Sequence, residues 1–221
     1  MKVFFVNAEY DQTVTIPKKI VDKLPKKIML FVTAQIITQL DDIKKQIEKS
    51  GREVILTKPR HTIHPGQILG CDTVNFDYAG DFDAFFYVGD GMFHPQALMM
   101  KNDKAIHIYN HSMGDYSMLT PKDAEIYRKR IQIAKAIFVG AKNVGVLVTT
   151  KPGQNKFLWY KAVEKKYPEK KFYYLVNNNI EFNRLEDFPF VDVFVNTACE
   201  RIAYDDYKKF VKPVLNYEDL P

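Results

Sequence analysis

Two cysteines, Cys71 and Cys199, are the residues with the most reactive chemistry available to them, and they are the only two in 221 residues. Cys71 closes the run Gln67-Ile68-Leu69-Gly70-Cys71, and Cys199 stands in Asn196-Thr197-Ala198-Cys199-Glu200-Arg201. Each follows a hydrophobic segment at a turn of small residues, the place where an α/β fold turns a group toward a cleft. Thiolate or metal chemistry suits that location. Two thiols do not close a metal site, because a zinc ion or iron–sulfur cluster takes three or four protein ligands and neither cysteine has a CxxC or CxxH neighbour. Burial as small hydrophobes and pairing as one disulfide are the alternatives, and the disulfide is disfavoured because nothing in the chain reads as secreted.

Four further stretches carry groups that a ligand could use. Val88-Gly89-Asp90-Gly91-Met92-Phe93-His94-Pro95 lies between a strand pattern and a helix pattern, so that Gly89, Asp90 and Gly91 form a turn whose helix-start amides suit a carboxylate or phosphate. Glycine at such turns also has a purely steric use. His94 reads as a ligand contact, an acid or base, or an N-cap. Thr149-Thr150-Lys151-Pro152-Gly153-Gln154 occupies the equivalent place further on, with Lys151 either paired to a carboxylate or solvated, and with Gly153 and Gln154 beside it. It lacks Walker spacing. Gln35, in Thr33-Ala34-Gln35, follows the first clear strand. Arg201 could grip a carboxylate bidentately and lower a thiol pKa, whereas Asp205 and Asp206 read equally as an acidic helix turn. No Ser-His-Asp triad, HExxH helix or GxGxxG fingerprint is present.

The elements that must position these groups alternate along the chain. Ile28 to Val32 is a strand, Gln35 to Ser50 a helix with Ile36, Ile37, Leu40, Ile43 and Ile47 on one face and Gly51 as its stop, and Glu53 to Leu56 a second strand. Phe82 to Val88 and Ala105 to Tyr109 are strands around a short helix, His94 to Met100. Thr120 and Pro121 mark the N-cap and first residue of a helix reaching about Val139. After it come a strand at Val144 to Val148, a helix at Asn155 to Tyr167, and strands at Phe172 to Val176 and Val191 to Val195. The last dozen residues read as chain returning to the surface. This rhythm predicts an α/β fold of two similar parallel-sheet βαβ domains with helices on the faces, spanning residues 1–118 and 119–221. All the loops named above, with both cysteines, are expected at the carboxyl edges of the sheets, facing a shared cleft.

Composition narrows the class. No stretch reaches the ~18 apolar residues that span a bilayer, and Met1 to Val6 reads as a strand rather than a leader, so the chain is expected to be cytoplasmic with reduced thiols and no membrane contact. Thirty-two basic against 27 acidic residues, a net charge of +5, are interspersed. That balance does not announce direct nucleic-acid binding.

Taken together, Thr33-Ala34-Gln35, Pro65 to Cys71, Val88 to Pro95, Thr150 to Gln154, Asn196 to Arg201 and Lys212-Pro213-Val214-Leu215 resemble the diphthamide synthase family, in family order and at family-like spacing. The resemblance covers nearly the whole chain. It implies noncanonical radical S-adenosylmethionine chemistry: a 4Fe-4S cluster binds the methionine part of S-adenosylmethionine, and a 3-amino-3-carboxypropyl group is transferred to a histidine of elongation factor 2. It implies three related α/β domains with one cysteine each, so that Cys71 and Cys199 correspond to the second and third cluster ligands. The first domain and its cysteine have no counterpart here, and Val3 to Val6 resembles the last strand before the second domain. The family's Cys-Pro-Arg reads Cys199-Glu200-Arg201. The remaining named residues, Gln35, Gly89, Asp90, Gly91, His94, Lys151, Gly153, Gln154, Arg201 and Asp205, would hold the cofactor. With an incomplete ligand set, the resemblance implies a homodimer or a heteromer with a chain that supplies the missing domain. A non-catalytic S-adenosylmethionine, nucleotide or elongation-factor binding paralogue is the alternative. His61 and His64, near Cys71, are the best candidates for a replacement ligand.

Overall fold

The computed structural model describes residues 8–221 and, at residues 157–161, the backbone alone. The strand expected at Val3 to Val6 lies outside the described residues. Two compact units divide the chain, Met1–Glu125 and Ile126–Pro221.

The first unit begins with a short helix α1 (Lys18–Val21) and continues through β1 (Lys27–Val32), α2 (Leu40–Glu48), β2 (Glu53–Ile55), β3 (Ala84–Val88), α3 (Phe93–Met100), β4 (Ile106–Asn110) and β5 (Asp115–Leu119). Its five strands are ordered β2-β1-β3-β4-β5. β2, β1, β3 and β4 run parallel, and β5 runs antiparallel to β4. Every residue from Ala84 to Val88 is buried, as is every residue from Ile28 to Val32, because helices cover both faces of a parallel sheet. Leu40, Ile43 and Ile47 are the buried stripe of α2, at the spacing expected.

Two elements of this unit differ from the reading of the sequence. The helix expected from Gln35 is a 3₁₀ turn over Ala34–Gln39, with a non-helical residue at Ile36, and α2 starts only at Leu40. The Gln39 side chain accompanies that break: its amide donates to the carbonyls of Tyr10 and Gln12 and accepts from Val14 N, tying the turn to the extended chain before α1. The second difference is β5. It follows β4 through a tight turn in which the Asn110 side chain accepts from the amides of Ser112 and Met113 and Gly114 takes φ +71°. Only half-buried at Tyr116 and Leu119, it lacks the continuous apolar run that marks the inner strands.

The second unit opens on α4 (Glu125–Gly140), which continues a 3₁₀ turn over Pro121–Ala124 that is begun by a capping box between Thr120 and Asp123, so the helix expected from Pro121 is α-helical only from Glu125. β6 (Asn143–Thr149), α5 (Phe157–Lys166), β7 (Lys171–Asn177), β8 (Val193–Asn196), α6 (Arg201–Asp205) and β9 (Val214–Asn216) follow. The sheet is parallel throughout, in the order β7-β6-β8-β9. Ala134 and Phe138 of α4 pack on Val144, Val146, Val148, Val193, Val195 and Leu215, while Leu147, Phe194, Leu185 and Val191 fill the other side. β9 corrects the reading of the last dozen residues as surface chain: Leu215 is 1% exposed and pairs with Val195. Three residues are too few for a periodic signal, so only the pairing with β8 reveals the strand.

Counted within each unit, the parallel strands share the order 2-1-3-4. Chain direction therefore reverses laterally between β1 and β3 in one unit and between β6 and β8 in the other, and the carboxyl ends of those strand pairs are the crevices where α/β sheets hold ligands. No helix among the described residues is long and apolar enough to cross a membrane.

Candidate functional site

In the first unit the crevice is formed by the ends of β1 and β3. Thr33 leaves β1 buried, and Gln35 follows it, exposed, with its backbone carbonyl accepting from Tyr10 N at 2.8 Å. Gly89 leaves β3 with its amide bonded to Tyr109 O. A Cβ at Gly89 would lie 2.5 Å from both Thr33 Cγ2 and the Tyr87 hydroxyl, so the two strand ends touch there through a residue with no side chain. Gly91 is glycine for a different reason, φ +64° with open space around it. Asp90 is exposed, its carboxylate 3.8 Å from His111 Nε2. His94 is the second residue of α3. Met92 occupies the N-cap position and no side chain caps the helix, so the capping role considered for His94 is not the one it has. Its ring stacks on Tyr87, with Nδ1 3.3 Å from the phenol oxygen.

Cys71 does not directly follow a strand. It stands in the long connection from β2 to β3, in a turn reached after Gln67 makes an isolated parallel bridge with Val32, the last residue of β1. Gly66 O accepts from Val32 N, and Ile68 N donates to Val32 O, so this segment extends the sheet at its carboxyl end. The turn is built by Asp72, which is wholly buried: one carboxylate oxygen accepts from Leu69 N at 3.0 Å and the other from His61 N at 3.1 Å. Gly70 packs against the ring of Phe93, to which an added Cβ would approach within 1.9 Å. Phe93 is the first residue of α3, so the Cys71 turn sits against the loop that carries Gly89 and Gly91. Gln67 holds the loop of His61 and His64 by accepting from the amides of Ile63 and His64. Both histidines are exposed.

In the second unit Cys199 follows β8 directly. Asn196, 2% exposed, organises the turn: its Oδ1 accepts from Ala198 N, and its Nδ2 donates to Cys199 O at 2.8 Å and to Asn216 Oδ1 at 2.8 Å. Thr197 fastens the turn to β6, its amide and its hydroxyl both donating to Leu147 O. Arg201 has a carboxylate partner within the chain. It is 3% exposed and forks onto Asp205, Nε and Nη2 each 3.0 Å from a carboxylate oxygen one helical turn on. The pair considered as ligand groups thus engage each other. Glu200, 7% exposed, receives Lys156 Nζ at 2.8 Å, and Glu218 lies 3.6 Å from the same ammonium. Lys156 ends the loop that leaves β6, so this ion pair joins that loop to the Cys199 turn. Lys151 is half-buried in the loop, Gly153 turns it at φ +79°, and Gln154 is exposed with its amide bonded to Lys151 O.

Neither cysteine is in a disulfide, and both are half-buried. Asp72, Gln67, Tyr87 and Asn216 belong to the site's framework and were not singled out from the sequence. Asp72 could have been noticed, since an aspartate closing a Leu-Gly-Cys turn is the residue type that accepts from turn amides. For the other three no local signal exists.

A family model described as "Putative diphthamide synthesis protein" matches residues 1–220. The 2-(3-amino-3-carboxypropyl)histidine synthase of Pyrococcus horikoshii is 34% identical over 204 residues, covering 90% of this chain and 58% of that protein. The synthase of Methanocaldococcus jannaschii is 30% identical, covering 82% of this chain and 55% of that protein. The crystal structure of Dph2 from Pyrococcus horikoshii, solved also with a 4Fe-4S cluster, superposes with a TM-score of 0.73 at 31% identity, over 90% of this chain and 57% of that one. The chain thus spans a little over half the length of these relatives. Matched along nearly all of its own length, it belongs to the diphthamide synthesis protein family.

Proposed function

We propose that this chain is a component of 3-amino-3-carboxypropyl transfer from S-adenosylmethionine to a histidine of elongation factor 2, in a reducing cytoplasm, with its iron–sulfur centre completed by a thiolate from another chain in a homodimer or heteromer. The observation that carries the reading is the placement of one half-buried cysteine beyond the carboxyl edge of a sheet in each unit of a chain that belongs to this family. The two cysteines on their own do not fit a 4Fe-4S cluster, which takes thiolates at three or four irons. Among the described residues no group of three or more His, Cys, Asp or Glu side chains is arranged to hold a metal ion. In this reading the cluster would supply the redox chemistry. The chain would supply Cys71 and Cys199 as ligands, and the crevice loops of Gln35, Gly89 to Gly91, His94 and Lys151 to Gln154 as the S-adenosylmethionine seat.

The same shortfall of donors favours one second reading, a paralogue that binds S-adenosylmethionine or elongation factor 2 without a cluster. Anaerobic reconstitution with iron and sulfide, with iron counted per chain, separates the two. The first reading expects no stable cluster in the chain alone and about four irons per site when a cysteine-bearing partner is added, lost in Cys71→Ala and Cys199→Ala. With partner, reductant and S-adenosylmethionine, mass spectrometry should then find the added group on the elongation factor histidine. Iron uptake at background level with every candidate partner would overturn the first reading.

A further inference from the structure

An open cavity of about 220 Å³ lies in the second unit, between α4, α6 and the residues that lead into β9. None of the residues named for the cofactor seat lines it. Ile131, Ala203 and Pro213 make its walls largely apolar, together with Tyr204, which is 3% exposed and spends its hydroxyl on Asp219. Two cations, Arg130 and Lys212, line the same space. The Arg130 guanidinium lies over the ring of Tyr207, 3.1 Å from its centre, an arrangement that holds the group in place by its face and leaves donors on its edge. Among the described residues neither cation is ion-paired, and no carboxylate lines the cavity. The acids at the end of α6 are engaged elsewhere, Asp205 by Arg201 and Asp206 by Lys209. Lys212 acts on Asp192 only through its field, beyond ion-pair distance.

An apolar hollow with two unmatched positive charges selects a molecule with a hydrophobic body and an anionic group. Its size narrows the choice. Drug-sized ligands fill about 300–1,000 Å³, so this smaller space takes about one ring system with its acid group. A phosphate monoester brings three acceptor oxygens and up to two charges, more than one guanidinium edge and one ammonium satisfy. We propose that this cavity binds a small aromatic carboxylate, its ring against Tyr204 and Pro213 and its carboxylate between Arg130 and Lys212. A neutral analogue would leave both charges unanswered, and a cation would be repelled. The site stands apart from the proposed function, because its residues belong to neither cysteine turn and to none of the crevice loops.

Ligand-observed NMR titration of the full chain with indole-3-acetate, and with indole-3-acetamide as its uncharged analogue, tests the assignment. The acid should bind with a Kd of about 1 mM or tighter, the scale for a ligand of about a dozen heavy atoms. The amide should bind about tenfold more weakly, as when a charge-assisted bond is lost. Lys212→Gln, at an exposed position, should weaken the acid about threefold and leave the amide unchanged. Ala203→Leu, which narrows the hollow, should abolish binding of both. Equal binding of acid and amide, or acid binding unchanged in both variants, would overturn the assignment. So would the absence of saturable binding of the acid to the wild type. Should Ala203→Leu fail to fold, the acid–amide comparison and Lys212→Gln decide.

Discussion

Glu200 and Lys156 form an ion pair of 2.8 Å at the foot of the Cys199 turn, the Glu200 side chain 9% exposed and the Lys156 side chain 20%. Glu200 stands where the resemblance to the family would place a proline, so in this chain a charge holds together two segments that leave different strands. Removing one partner takes the nearest opposite charge from the other in a region of poor solvation. Lys156→Met should lower the urea unfolding free energy by about 2 kcal/mol, below the cost for a fully buried pair because the lysine keeps some access to water. The double variant with Glu200→Gln should lose less than the two single losses added together. Additive losses would show the two residues to be uncoupled.

Gly70 and Phe93 make a steric prediction of a different kind. The 1.9 Å between a Cβ added at Gly70 and the ring leaves no room for alanine, so Gly70→Ala should destabilise by about 2 kcal/mol, as overpacking does. Phe93 is 49% exposed and can be cut back. Gly70→Ala combined with Phe93→Ala should be more stable than the sum of the separate losses, measured by chemical denaturation.

Asp72 builds the Cys71 turn by accepting from Leu69 N and His61 N. Asp72→Ala leaves both amides without that acceptor, and the turn should open. In a Cys199→Ala background, alkylation of Cys71 by iodoacetamide should accelerate about fivefold, the loss of a charge-assisted bond in part offset by water. An unchanged rate would mean that neighbouring packing alone shapes the turn.

His107 predicts a pH dependence. It is 7% exposed on β4, with Nδ1 2.8 Å from the Tyr116 hydroxyl, and burial lowers its pKa from the ordinary 6.5. In the unfolded chain the same histidine binds a proton more readily. As pH falls below about 6.5 the unfolded state therefore takes up the proton first, and stability drops until the folded-state pKa is passed. His107→Gln should flatten the urea midpoint between pH 7 and pH 5, and a slope equal to wild type would reject the assignment.

The thread from sequence to structure is local in some places and not in others. Apolar runs determined β1, β3, β6 and β8, because a strand covered on both faces has no polar positions to interrupt it. The capping box at Thr120 and the Gly140 end of the fourth helix were equally legible, since capping chemistry lies within a few residues of the turn it serves, although the first turn from Pro121 is 3₁₀ and the α-helix begins at Glu125. The glycine turns after β3 and β6 announced themselves for the same reason. Tertiary structure alone decided that Val214 to Asn216 is a strand, because its identity lies in the bonds it makes to β8. It alone decided that Arg201 spends its guanidinium on Asp205, that Asp72 folds the turn of Cys71, and that Tyr87 reaches His94. A side chain's type limits which partners it can take, but which partner it meets depends on how the strands and helices bring distant backbone together, and no short stretch of sequence contains that information.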